Sequence, residues 1–230
     1  MTQATVDAVK AALKAVKEPI LGRDIVSLGM VKKVEVEKDF AYIQIDLPTP
    51  AYRDRQALEK SVQAAACKVP GIADARCLLG VNVPSGSRGQ ATRLPSVKNV
   101  IAVAAGKGGV GKSTVATNLA AALRLYGARV GLLDADVYGP SLPTMLGVPE
   151  VPASTRVGNK IGPAVYYGMS VISVGFFTER DGAVVWRGPM VHKLLQQFIE
   201  DVEWGELDYL VVDLPPGTGD AQLSLTQLLP

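Results

Sequence analysis

Thiols and imidazoles are scarce in this chain, which has two cysteines and one histidine among 230 residues. Cys67 and Cys77 form neither a disulfide framework nor a C-x-x-C pair, so a stapled secreted domain and a zinc site of usual spacing are both unexpected. Cys67 falls on the apolar side of an expected helix and Cys77 in an expected strand, where a free thiol is ordinarily a small buried hydrophobe. His192 has no second histidine to work with and reads as structural or surface. Long hydrophobic runs are missing too, since nothing approaches the roughly 20 apolar residues of a membrane helix. The first residues alternate Lys and Asp with alanines, unlike a secretory signal. A cytoplasmic protein with no membrane partner is therefore expected. One-sided charge is also lacking: 24 basic residues face 22 acidic ones, and neither half forms a basic arm. That argues against an extended nucleic-acid surface. What remains is 48% apolar and 20% charged, the balance of a soluble chain able to bury a core in one large domain or two small ones.

The most informative stretch is VIAVAAGKGGVGKST, residues 100–114. Residues 100–104 are a short apolar run rich in β-branched side chains, a candidate buried strand. Gly106, Lys107, Gly108, Gly109, Val110, Gly111, Lys112 and Ser113 then fit G-x-x-x-x-G-K-[ST] at every fixed position, and residues 114–126 read as a helix rich in Ala and Leu. Strand, glycine loop and helix in that order make a phosphate site. Glycines let backbone N–H groups converge on phosphate oxygens, and the helix N-terminus adds partial positive charge. Lys112 is expected at the β/γ-phosphates, and the Ser113 hydroxyl on Mg²⁺, with Thr114 next to them in the nucleotide site. Lys107, directly after the first glycine, resembles the extra lysine of the deviant P-loop in the MinD/ParA/nitrogenase-iron-protein class of ATPases. In that class it reaches across a nucleotide-sandwich dimer, so the resemblance implies a homodimer and a lysine counterpart of an arginine finger.

Taken in order, residues 2–17 pattern as an amphipathic helix with Val6, Val9, Leu13 and Val16 on one face. Two strand-like runs, 30–36 and 40–47, flank Glu37-Lys38-Asp39, which suits a hairpin turn. A helix over 53–68 and a strand over 72–83 complete a small α+β domain, residues 1–83. Residues 84–98, rich in Gly, Ser, Pro and Arg and without periodicity, read as a linker. From residue 99 to 230 strands and helices alternate, which implies a mostly parallel sheet with helices on both faces. Its strands are expected at 129–133, 171–174, 183–186 and 209–212, with a helix over 190–202. Residues 148–168, heavy in Pro and Gly, read as a surface excursion or irregular hairpin.

Three carboxylates fall where the strands of such a sheet end, the side on which α/β folds bind ligands. Asp213 ends an apolar strand, as a Walker B aspartate does, and is expected to hold Mg²⁺ directly or through water. Asp134 is a second candidate for the metal shell. Asp136, two residues on, is placed to orient or deprotonate the attacking water. Pro215-Pro216 stiffen the approach to Gly217, whose amide is expected to sense the γ-phosphate.

LDADVYGPS, WRGPM and VVDLPPGTGD, in that order, resemble the Mrp/ApbC family of iron–sulfur cluster carrier ATPases. The match runs almost continuously from residue 99 onward, and residues 1–85 resemble the small domain that precedes the ATPase in many members. The resemblance implies MgATP hydrolysis, dimerisation and delivery of clusters to apo iron–sulfur proteins. Two departures stand out. Family members often carry a cysteine just after the Pro48-Thr49-Pro50-Ala51 stretch, and here Tyr52 stands there. The family also continues past the second switch to a C-x-x-C pair that binds a bridging [4Fe–4S] cluster; those ligands are not in this sequence, and the ATPase domain is expected to be C-terminally incomplete. A ParA- or MinD-like positioning ATPase is the alternative, but it needs a basic dimer surface or a terminal amphipathic anchor. A reductase resembling the nitrogenase iron protein needs cysteines near the second switch, and none follows Cys77.

Overall fold

Alternation of apolar and polar residues between positions 31 and 47 gives a sheet covered on one face. The computed structural model describes residues 3–86, 93–148, 155–157, 160–177, 188–217 and 222–223. The chain divides into two compact units, Met1–Pro84 and Ser85–Pro230.

In the first unit, helix α1 (Gln3–Leu13) leads through a loop to β1 (Val31–Glu37) and β2 (Phe40–Leu47). These two strands pair antiparallel with Glu37 opposite Phe40, and Lys38 makes the turn at φ 56°. Helix α2 (Arg55–Ala66) then carries the chain over to β3 (Asp74–Val81), which lies parallel to β2 at the other edge. Val34, Val36, Ile43, Ile45 and Leu47 bury one sheet face in the same core as Val9, Leu13, Leu58 and Val62 of the helices. Cys77 belongs to that core, and burial, with Glu59 adding to it, pushes its thiol up to about 12. Cys67 departs from expectation: it is the C-cap residue of α2 and is exposed, because the helix ends before its apolar face continues that far.

The second unit begins with β4 (Val100–Val103), α3 (Lys112–Leu125), β5 (Val130–Asp134) and the single turn α4 (Leu142–Met145). It continues with β6 (Thr155–Val157), β7 (Lys160–Gly162), β8 (Ala164–Tyr166), β9 (Met169–Ser173), a 3₁₀ turn at Val174–Phe176, α5 (Gly188–Glu200) and β10 (Tyr209–Asp213). The main sheet has the order β4-β10-β5-β9-β8 and is parallel except for β8. All five residues of β5 are buried, as a strand covered on both faces requires. Phe198 and Leu195 of α5 cover one face; Ala116 and Ala120 of α3 cover the other, where small side chains let helix and sheet approach closely. In register, Asp213 faces both Asp134 and Val103, and Asp134 faces Ser173. The carboxyl ends of four strands therefore share one rim.

One expectation changes and another narrows. Residues 94–98 are not linker: Leu94 and Val97 are buried in the second unit's core, Val97 bridges to Leu207, and Lys98 Nζ lies 2.9 Å from Asp208. Two apolar residues in a polar stretch were too few to register as periodicity. Of the two readings of residues 148–168, the described residues take the hairpin: β6 and β7 pair antiparallel, and β8 extends the main sheet. Strands of three residues carry too little pattern to be read from sequence. The strand expected at 183–186 lies outside the described residues. Among the described residues no helix is long and apolar enough to cross a membrane.

Candidate nucleotide site

Loop 104–111 connects β4 to α3 on the rim where the strands end. Gly109 and Gly111 adopt φ of +75° and +89°, the left-handed region that side chains disfavour. A Cβ added at Gly106, Gly108, Gly109 or Gly111 would meet no atom within 4 Å. The space around the loop is thus open. Gly111 is the N-cap of α3 and supplies no side-chain hydrogen bond, so the first-turn N–H groups begin without a side-chain cap. Backbone donors and a helix N-terminus around open space suit an anion. Lys107, Val110 and Thr114 are exposed on this surface.

Lys112 starts α3 and its side chain turns inward. Its Nζ lies 2.5 Å from Asp213 Oδ1, 3.1 Å from Ser113 Oγ and 3.9 Å from Asp136 Oδ2. The Lys112 side chain is 8% exposed and that of Asp213 is not exposed at all. One cation thus serves two carboxylates in a setting where either charge alone would be costly. Asp213 Oδ2 is buried and has no hydrogen-bond partner among the described residues. A buried carboxylate oxygen left open beside a serine hydroxyl is a hard-oxygen donor set that fits Mg²⁺.

Asp136 accepts the Gly139 N–H at 3.1 Å. Burial raises its carboxyl above the ordinary value, while that hydrogen bond and Lys112 pull the other way. Asp134, expected in the metal shell, stands differently. Its Oδ1 accepts the Asp136 N–H at 3.2 Å; its Oδ2 accepts the N–H groups of Ser141 and Leu142 at 3.1 and 3.2 Å and the Ser173 hydroxyl at 3.0 Å. Burial pushes it up to about 6 despite the Leu142 and Ser173 hydrogen bonds. Three donors crowd Oδ2 and one engages Oδ1, so Asp134 already anchors four groups of its own chain. Gly217 also differs from expectation. Its N–H donates to the Ala105 carbonyl at 2.9 Å, which ties it to the base of the glycine loop instead of leaving it free for phosphate. Ser173 was missed altogether, because only strand register brings it beside Asp134. Among the described residues no group of three or more His, Cys, Asp and Glu side chains is arranged to hold a metal by itself.

The family described as NUBPL iron-transfer P-loop NTPase matches residues 96–230, and the family described as iron-sulfur cluster assembly protein matches residues 6–78. Among curated relatives, an iron-sulfur cluster carrier protein of Deinococcus radiodurans is 49% identical over 96% of this chain and 62% of its own length. One of Escherichia coli is 38% identical over 96% of this chain and 60% of its own length. The chain thus spans about three fifths of these relatives. Among solved structures, a nucleotide-binding protein from Archaeoglobus fulgidus in complex with ADP is 40% identical, with a TM-score of 0.50, over 59% of this chain and 51% of that one.

Proposed function

The chain belongs to the family of iron-transfer P-loop NTPases, and on that premise we propose that it binds and hydrolyses MgATP at loop 104–114 as part of a cytoplasmic iron–sulfur cluster carrier. One observation carries the reading: Lys112, at the mouth of an open glycine loop, is held by two carboxylates, Asp136 and the proposed metal ligand Asp213. In the proposed cycle the loop N–H groups and Lys112 bind the phosphate oxygens, with Lys112 drawn away from Asp213. Ser113 and Asp213 are the proposed Mg²⁺ ligands, and the ion supplies charge neutralisation on the phosphates when bound. Asp136 orients the attacking water. Lys107, exposed on the loop, reaches the phosphates of a second copy, which makes turnover slow and dimer-dependent.

The cluster is cargo, delivered to apo iron–sulfur proteins. Stable [4Fe–4S] binding generally takes four thiolates. Cys67 is exposed and Cys77 is a buried thiol pushed up to about 12, so neither pairs naturally with the other. The cargo ligands are proposed to lie in the part of the relatives' length that this chain does not span. Reconstitution of the chain with iron and sulfide should then leave no stoichiometric cluster after desalting.

Equilibrium binding of fluorescent ATP tests the nucleotide reading. Lys112→Ala should weaken binding by at least ~100-fold, in line with losing a charge-assisted phosphate contact in a dry site. Because that variant also strips Asp213 of its counter-ion, Lys112→Arg is the companion that keeps a cation there and should bind poorly too. Wild-type affinity in both would overturn the reading.

A further inference from the structure

We propose that Asp134 is a positioning residue: it pins both ends of loop 136–142 to the strand rim so that Asp136 faces Lys112, and it touches neither metal nor phosphate itself. The proposal rests on the nucleotide reading above. Its basis is how one carboxylate is used. Oδ1 takes the N–H of Asp136, the residue whose own carboxylate lies 3.9 Å from Lys112 Nζ. Oδ2 takes the N–H groups of Ser141 and Leu142, where the loop enters α4. The loop leaves β5 and returns to the same side chain within eight residues. The fourth donor comes from outside it: the Ser173 hydroxyl, at the end of β9, whose oxygen in turn accepts the Gly175 N–H at 3.1 Å. Gly175 abuts the loop as well, since a Cβ there would come within 2.9 Å of Pro143 and 3.3 Å of Pro140. The loop is therefore fixed from within by Asp134 and from the side by the 3₁₀ turn.

Only a carboxylate suits this position, because every partner is a donor. An asparagine has the same shape, but its NH₂ group would face either the Asp136 N–H or the three donors on Oδ2. Asp134→Asn should thus free the loop without opening a cavity.

Hydrogen exchange of the full chain, read without nucleotide, tests this directly. Asp134→Asn should speed exchange of peptides covering 136–142 at least tenfold and leave those covering 104–111 unchanged; Ser173→Ala should act in the same direction and less. ADP should bind within threefold of wild type and keep its Mg²⁺ dependence. Turnover should fall at least tenfold at unchanged KM, and Asp134→Asn should add nothing on an Asp136→Asn background, since it acts through Asp136. Unchanged loop exchange in Asp134→Asn would overturn the proposal. So would loss of the Mg²⁺ dependence of ADP binding, which would make Asp134 a ligand, or multiplicative effects of the two aspartate variants. Failure of the wild-type chain to bind ADP would overturn the nucleotide reading instead, with the exchange result still deciding the role of Asp134.

Discussion

Glu18 in the first unit and Asp213 in the second are both carboxylates with almost no exposed surface, and they are satisfied in opposite ways. Glu18 Oε2 accepts the N–H groups of Ile20 and Leu21, two and three residues along the chain, and so closes a turn with fixed backbone donors. Asp213 is met by Lys112, 101 residues away, through a side chain that can leave, and its second oxygen has no partner among the described residues. Buried charge alone does not separate structure from function. A carboxylate held by adjacent amides keeps partners that cannot move away, whereas one held by a single movable cation is poised for exchange when an anion draws that cation away.

The contrast can be sharpened at Lys107. If the second unit's charges serve a nucleotide, Lys107→Ala should keep ATP binding while turnover falls by ~10³-fold, by analogy with charges supplied in trans to phosphoryl transfer. Phosphate-release assays alongside sedimentation with a non-hydrolysable analogue read both quantities. Normal turnover would remove Lys107 from the mechanism.

A smaller effect is expected at Asp213. Moving Lys112 onto phosphate strands a buried carboxylate unless a cation replaces it. Mg²⁺ and ADP should therefore tighten each other's binding by ~10- to 100-fold, within the usual range of coupling between sites. Calorimetric titration of ADP with and without Mg²⁺ measures this, and Asp213→Asn should flatten it.

Glu18 supplies the opposing case. Glu18→Ala removes the acceptor of two amides in an exposed turn and should lower stability by ~0.5–1.5 kcal/mol, the usual net worth of a hydrogen bond whose freed donors can turn to water. ATP affinity should not change, and a parallel loss of ATP binding would break the distinction between the two carboxylates. Denaturant melts and nucleotide titration on the same variant decide it.

The pH-dependent case is Asp208. Burial opposes its ionisation, but hydrogen bonds from Arg129 and Lys98 bring it down to about 2. A carboxyl depressed in the folded state contributes stability above its unfolded value near 3.8, and that contribution is lost as pH falls toward 2. Asp208→Asn should accordingly flatten the acid limb of stability between pH 4 and 2. Thermal melts across that range check the sign.

Much of this was legible in residue order because the deciding physics is local. G-x-x-x-x-G-K-[ST] between an apolar run and a helix specifies a phosphate loop, since the glycine angles and the helix start are set by neighbours along the chain. Alternation in 31–47 likewise marks a half-buried sheet, with β2 found at residues 40–47 as its pattern implied. Asp213 was legible as the end of an apolar strand. The roles of Asp134 and Gly217 were not, because each depends on which groups from distant segments arrive beside it. Leu94 and Val97 were hidden for the same reason: their burial depends on α5 and on the segment before β10, not on their own neighbours. Sequence alone thus determined where the glycine loop runs and where α3 starts, through backbone freedom and helix polarity. Tertiary structure alone decided which aspartate is held by backbone amides and a hydroxyl and which by a lysine, because strand register sets Ser173 against Asp134 and folding of the sheet brings Lys112 to Asp213.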